Sequence, residues 1–452
     1  MVKELKRICH FILAWKGSWI FGHPSQRLFV LGVTGTKGKS TVVELISAIL
    51  EGTGKKTAFI SSAGIKIGGE INKNLTGMTM PGRFFIQRFL KQAVKKGCEY
   101  ALIEVSSEGV SQYRDRFIDF DAAIVTNLEP EHTESHGSYE NYRAAKLKFF
   151  ANVGLHSKKK NKKFFINRDA KDYGYFIKAA GANNEALRSS VARYQAEFFR
   201  SRIPSFARLR RASEGLFSSP SSPQQATGYS AKENKIILYG KKDLENLNLI
   251  PKLQGDFNLE NIAASIAFAK ALNLDWQSVK NTINNFSGVP GRMEFIQKEP
   301  FSVIIDYAHT PDSLSKVYET LLGKKNNQNK LICVLGAAGG GRDEWKRPVM
   351  GEIAAKGCDK IILTDEDPFD DSPREIIGQI AAGIKNYKPD KKYEIIMDRY
   401  EAIKAAIMAA SKGDIVIITG KGSEPFMRLA NGKKILWNER EIVLGVLKNK
   451  AI

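Results

Sequence analysis

The segment Gly35-Thr36-Lys37-Gly38-Lys39-Ser40-Thr41 packs two glycines, two lysines and three hydroxyls between an apolar run (Leu28 to Val33) and a helical repeat of Val42, Leu45, Ile46 and Ile49. A glycine turn that leaves a strand and opens a helix aims backbone N–H groups at a polyphosphate. Lys39 then reaches the terminal phosphates and Ser40 is placed to ligate magnesium. The spacing is shorter than G-x-x-x-x-G-K, because Val33 stands at the first glycine position. Glu104 ends another apolar run, "YALIEV", where a carboxylate beside bound phosphate reads as a metal ligand and otherwise as an exposed strand-end acid. His132 and His136 share one loop and read either as ligands or as solvated residues.

The elements that position these groups follow from periodicity. Between Leu28 and Phe150 short β-branched runs ("RLFVLGV", "TAFISSA", "YALIEVSS", "AAIVTNL") alternate with helical patterns, which predicts a mostly parallel sheet. Residues 181–228, rich in Ser, Pro, Arg and Gln, show no sustained period and are expected to be a disordered insertion. The turn-rich "GVPGRMEFI" marks a boundary, and a second series of strands and helices follows it. The expected architecture is α/β: residues 28–287 form a P-loop central ATPase domain with a mostly parallel sheet, and residues 288–452 a C-terminal Rossmann-like α/β domain. Residues 1–27 are expected to form a short amphipathic helix packed on the domain that follows, since Lys16 interrupts the apolar run and no cleavage site follows it.

Composition limits the alternatives. The chain has 452 residues and a formal charge of +21, which fits a nucleic-acid or membrane partner or anionic small substrates. No basic motif interleaved with aromatics is present, so nucleic acid is not expected. No apolar stretch approaches the ~18 residues of a membrane span. The four cysteines (Cys9, Cys98, Cys333, Cys358) are widely spaced, which suggests neither a zinc site nor a disulfide framework and fits a reducing compartment.

G-T-x-G-K-[ST] resembles the phosphate loop of the Mur ligases, ATP-dependent enzymes that join an amino acid to a peptidoglycan precursor. Folylpolyglutamate synthases share that loop. "EVSSEGVSQYR" and "GGGRDEWKRPVMG" resemble the muramyl-tripeptide synthetase branch, as does "GKGSEPF". "TNLEPEHTESHG…AAK" is similar to the family's T-N-L-x-x-D-H-L-D-Y-H-G…A-A-K. The resemblance implies a cytoplasmic ligase of cell-wall synthesis using ATP and magnesium, with the metal on Ser40, Glu104, His132 and a carbamylated Lys146 (N6-carboxylysine). It implies nucleotide contacts from Gly35 to Thr41, Asn127, Asn258, Arg292, Asp306 and His309, with Asn261 beside Asn258. Thr79, Ser106, Gln112 and Arg114 are implied to contact the acceptor, a UDP-muramyl dipeptide or related anionic molecule. Arg342, Gly420 and Glu424 are implied to hold the free amino acid.

Departures from the pattern carry their own expectations. Glu131 stands for Asp, Glu108 and Ser423 for His, and Trp345 for Gly. Enzymes using meso-diaminopimelate carry D-N-P-R, whereas this chain has Glu366-Asp367-Pro368-Phe369 followed by Asp370 and Asp371. Phe369 cannot pair with a carboxylate and the acids favour an ammonium, so the expected third residue is basic, L-lysine or L-ornithine. The uridine-binding domain of the branch has no counterpart in residues 1–27, so a separate protein could supply that function. A lipid-linked muramyl peptide or a folylpolyglutamate-type acceptor stays open, as does a nucleic-acid-binding NTPase.

Overall fold

The computed structural model describes residues 2–129, 138–181, 234–326, 328–341 and 344–450, with side chains from Arg7 onward. Val30, Leu31 and Val33 are almost wholly buried, so β1 (Phe29–Thr34) runs through the middle of a sheet rather than along its edge. Around it lie β2 (Thr57–Ile60), β3 (Gly64–Ile67), β4 (Glu70–Lys73), β5 (Tyr100–Glu104), β6 (Ala122–Val125), β7 (Lys163–Asn167) and β8 (Lys235–Tyr239). Their order is β4-β3-β2-β5-β1-β6-β7-β8. All pairs from β2 to β8 are parallel, whereas β2–β3 and β3–β4 are antiparallel. This sheet is therefore mixed, and its meander turns at Gly68-Gly69, a glycine pair between alternating residues that signals a hairpin. One apolar cluster packs under each face.

The second sheet has six strands in the order β13-β12-β11-β14-β10-β9. They are β9 (Glu294–Gln297), β10 (Ser302–Asp306), β11 (Leu331–Leu335), β12 (Lys360–Leu363), β13 (Glu394–Ile395) and β14 (Ile415–Thr419), with β9 antiparallel at the edge. A two-stranded ribbon, β15 (Phe426–Arg428) with β16 (Lys434–Leu436), follows. Helices Pro311–Leu322, Lys346–Gly357 and Pro373–Tyr387 supply side chains to the core on one face, and Arg399–Ala409 and Glu439–Lys450 to the core on the other. The fold is α/β throughout, with mixed sheets. Phosphate-loop chemistry remains a matter of the site.

Two features depart from the sequence expectation or lie beyond its view. Cys333 in β11 and Cys358 before β12 are disulfide-bonded, with Cα atoms 6.1 Å apart. Twenty-five residues separate them, and one strand–helix–strand return brings them side by side, so wide spacing did not mean isolation. The expected insertion, residues 181–228, falls outside the described residues except for Gly181. Among the described residues no helix is long and apolar enough to cross a membrane.

Candidate active site

The turn between β1 and helix Lys39–Gly52 sits at the carboxyl ends of parallel strands, where open α/β sheets bind ligands. Its backbone is fixed from behind by the segment after β6. Thr126 Oγ1 donates to Lys37 O at 2.6 Å, Lys37 N donates to Asn127 Oδ1 at 2.8 Å, and Thr36 N donates to Asn127 O at 3.0 Å. Gly35 has φ +146° and a Cβ there would lie 1.8 Å from Thr126 Oγ1, so only glycine fits this close approach. A Cβ at Gly38 would lie 2.1 Å from Asn261 Oδ1, and the Asn261 amide donates to Asn258 Oδ1 at 2.9 Å.

Ser40 and Glu104 converge in front of this turn. Glu104, 2 % exposed, accepts from Ser40 Oγ at 2.9 Å and from Ser62 N at 2.7 Å through one oxygen. Its other oxygen lies 3.9 Å from Lys39 Nζ, which also donates to Thr36 O at 2.9 Å. A hydroxyl and a buried carboxylate facing a cavity are hard oxygen donors suited to magnesium, so these two residues fit the ion. Lys146 is buried behind the turn, with Nζ donating to Gly35 O at 2.6 Å and lying 4.6 Å from the centre of the Tyr142 ring. His132 and Glu131 lie outside the described residues, and among those described no group of three His, Cys, Asp or Glu is arranged to hold a metal.

The cavity in front of the turn has a volume of about 800 Å³ and is lined from both sheets. Gly38, Lys39, Ser40, Thr41, Ser62, Thr79, Glu104 and Asn127 line it from the first; Arg292, Asp306, Tyr307 and His309 line it from the second. Arg292 reaches across to Ser62 Oγ at 3.3 Å, with its guanidinium 4.1 Å from the Tyr307 ring centre. Lys316 joins the halves through Glu129 at 2.7 Å. Asp306 accepts from Met293 N and Ala308 N, both at 2.7 Å; burial, partly offset by Arg292, pushes its carboxyl above the usual range. His309 Nδ1 lies 2.8 Å from Tyr307 O. Ser62, Tyr307, Glu129 and Lys316 were not singled out by sequence, although Glu129 lies within the "TNLEPEHTESHG" motif.

The residues expected at the acceptor separate into two places. Thr79 lines the cavity. Ser106 instead caps helix Ser107–Ser111, accepting from Gly109 N at 3.1 Å, and Gln112 accepts from Arg114 at 2.8 Å while donating to Glu108 at 2.8 Å. Arg83 and Arg114 anchor this cluster through the Gln112 and Met80 carbonyls. These three side chains stand together but do not line the cavity.

The acids of the amino-acid segment are already engaged. Asp367 is held by Lys421 Nζ and by Arg428 Nη1, both at 2.9 Å; Asp371 lies 3.4 Å from Arg347, and Asp370 accepts from Asn431 N at 2.7 Å. Arg428 also lies 5.9 Å from the Phe369 ring centre. Tyr307 donates to Glu424 at 3.0 Å, and Glu424 accepts from Lys421 at 2.6 Å. Pro368 O approaches Gly339, and Gly420, at φ +107°, leaves room for Glu366, whose carboxylate a Cβ would meet at 2.1 Å. Arg342 lies outside the described residues.

Burial pushes the Glu366 carboxyl up to about 7. A carboxyl raised on folding stabilises the fold fully below the unfolded value and loses that contribution as pH rises through the folded one. Stability is therefore expected to fall between about pH 4.5 and 7, and Glu366→Gln to flatten the fall, as read by urea unfolding across that window.

The chain matches the Mur ligase middle domain over residues 33–269 and the Mur ligase glutamate ligase domain over residues 291–422. The UDP-N-acetylmuramoyl-L-alanyl-D-glutamate–2,6-diaminopimelate ligase of Syntrophomonas wolfei is 34% identical over 439 residues, covering 95% of this chain and 80% of that protein. The UDP-N-acetylmuramyl-tripeptide synthetase of Borreliella afzelii is 35% identical over 429 residues, covering 94% of this chain and 77% of that one. A solved diaminopimelate ligase superposes with a TM-score of 0.57 at 27% identity, over 96% of this chain and 82% of the other. This chain belongs to the Mur ligase family of ATP-dependent amide ligases of cell-wall synthesis. Within that family it falls in the muramyl-tripeptide, diaminopimelate-ligase-like branch.

These relatives correct the expectation of L-lysine or L-ornithine, because the Syntrophomonas protein and the solved ligase are both named for 2,6-diaminopimelate. The physical reason lies in the pairing just described. Asp367 is paired with Lys421 and Arg428, Asp371 lies 3.4 Å from Arg347 and Asp370 accepts a backbone N–H, so the acids counted in this segment are engaged within the protein rather than gathered around Phe369 to hold an ammonium.

Proposed function

We propose that the protein joins 2,6-diaminopimelate to the terminal carboxylate of UDP-N-acetylmuramoyl-L-alanyl-D-glutamate at the expense of ATP, through an acyl phosphate. The observation that carries this reading is one cavity in which Thr36 to Ser40 of the turn and Glu104 face Arg292, Asp306 and Tyr307 of the other half. The acceptor carboxylate takes the γ-phosphoryl group, ADP leaves, the amine attacks the acyl carbon, and the tetrahedral adduct expels phosphate to leave the amide. Lys39 and the N–H groups of the turn steady the transferring phosphoryl group. Arg292, stacked on Tyr307, neutralises charge from the opposite wall. Ser40 and Glu104 would hold magnesium, which supplies charge neutralisation between phosphate oxygens. Closure of the second sheet's half over the first excludes water that would hydrolyse the acyl phosphate.

Carbamylation of Lys146 is part of the same proposal. The modified nitrogen keeps one N–H for Gly35 O, and at 2 % exposure the adduct is shielded from water. With isotope-enriched carbon dioxide a carbamate carbon resonance is expected by NMR, absent from Lys146→Ala; a spectrum identical for both proteins contradicts it.

Arg428, whose Nη1 pairs with Asp367 at 2.9 Å and lies 3.6 Å from Glu424, is assigned to the distal carboxylate of diaminopimelate through its other guanidinium N–H groups, in place of the arginine that the D-N-P-R pattern puts at position 369. It borders a small pocket shared with Thr79, Arg292 and Tyr307. Arg428→Ala is expected to raise the KM for diaminopimelate by about tenfold or more while leaving the KM for ATP unchanged. ADP release measured with the muramyl dipeptide and a panel of amino acids tests the whole reading. Turnover with diaminopimelate well above lysine and ornithine is expected; no acceptor-dependent turnover with it contradicts the proposal.

A further inference from the structure

Over its described side chains, Arg7 to Ile20, helix Val2–Ile20 has one apolar face packed on the fold and a second left exposed. Phe11, Ala14, Gly17 and Ser18 face inward, where Phe11 packs on Tyr113 and Phe117 with ring centres 5.7 and 5.1 Å away. Gly17 abuts helix Arg83–Lys95, at Gln87 and Phe84. The other face carries Ile8, Ile12, Trp15 and Trp19 at exposures of 60, 41, 51 and 70 %, spaced i, i+4, i+7 and i+11 so that they form one stripe. On the neighbouring helix Phe84 and Phe85 are also more than a third exposed, and Phe84 meets Phe21, the residue after helix Val2–Ile20, at a ring-centre distance of 6.5 Å. Large exposed apolar stripes on folded proteins mark interaction surfaces.

Charge says what covers it. Residues 7–20 and 83–96 together contain seven Lys or Arg and no Asp or Glu. Lys16 on this helix and Arg88 and Lys91 on the helix it packs against are exposed. A second copy would bring two such basic faces, on chains of charge +21, against each other. An outer apolar face with two tryptophans and a basic surround is the pattern of a helix lying in the interface of a bilayer. We propose that this face docks the enzyme on an anionic phospholipid surface, with helix Val2–Ile20 lying in the plane of the headgroups. It stands apart from the amide-ligase reading, since none of these residues lines the cavity.

The full-length chain should co-float with vesicles of phosphatidylcholine plus phosphatidylglycerol, and far less with phosphatidylcholine alone. W15S/W19S removes the two largest apolar side chains of the stripe and should weaken vesicle binding at least about tenfold. Ligase activity on the soluble acceptor should not change, which separates failure of docking from failure of the active site. Tryptophan emission should shift to the blue on binding and be quenched by bromolipid in the wild type but not in W15S/W19S. Binding unaffected by these substitutions, equal binding to neutral vesicles, or a dimer that W15S/W19S dissociates would each overturn the proposal.

Discussion

Lys39→Ala is expected to reduce acceptor-dependent ADP release by about a thousandfold, since one preorganised charge beside a transferring group contributes on the order of two to three decades or more. The position of the side chain supports so large a figure. Nζ is held between Thr36 O at 2.9 Å and Glu104 at 3.9 Å, so its charge is set in place before substrate arrives. Lys39 opens helix Lys39–Gly52 and keeps a partly exposed side chain, so truncation should leave the fold intact. The loss should fall on kcat more than on the KM of the amino acid, which binds elsewhere. Steady-state kinetics of ADP release decide it, and turnover within about tenfold of wild type would remove Lys39 from the phosphoryl transfer.

Arg399→Ala is expected to destabilise the protein by about 3–5 kcal/mol, the usual cost of stranding one half of a buried ion pair. Arg399 and Glu439 are both fully buried and meet through two bonds, Nε to Oε2 at 3.0 Å and Nη2 to Oε1 at 2.6 Å. Nη2 also donates to Thr419 O at 2.7 Å, so the guanidinium ties helices Arg399–Ala409 and Glu439–Lys450 to the end of β14. Among the described residues, removing it leaves the Trp437 indole N–H, 2.7 Å away, as the side-chain donor to a Glu439 carboxylate still held in the core. Replacing both partners, R399M with E439L, should recover much of the loss because no charge remains buried. Urea unfolding measures both proteins; a single-variant loss under about 1 kcal/mol contradicts the role given to the pair.

The wall of the cavity proposed to face phosphate was legible because its residues are contiguous and sit at one strand–helix junction. Gly35 to Thr41 sits between an unmistakable strand and helix, and Asn127, Asn258, Arg292, Asp306 and His309 belong to motifs that the fold gathers around one cavity. Ser62 was missed because "FISSAG" carries no motif, and its role comes from β2 ending beside β5, a tertiary fact. Glu129 and Lys316 are 187 residues apart and meet only across the two sheets. Counting charges around Phe369 misled for a related reason: a carboxylate's partner is not visible in its own segment. Asp367 pairs with Lys421 and Arg428, more than fifty positions away. The same blindness hid the Cys333–Cys358 bond. Ser106 shows the converse, a motif residue that in this structure caps a helix.

The most direct measurement follows one oxygen. An acceptor whose terminal carboxylate carries isotopically heavy oxygen is turned over with ATP, magnesium and diaminopimelate, and the phosphate released is weighed by mass spectrometry. If the cavity energises that carboxyl as a mixed anhydride with phosphate, one heavy oxygen passes to phosphate for every amide formed. Amide formation with unlabelled phosphate would contradict the account.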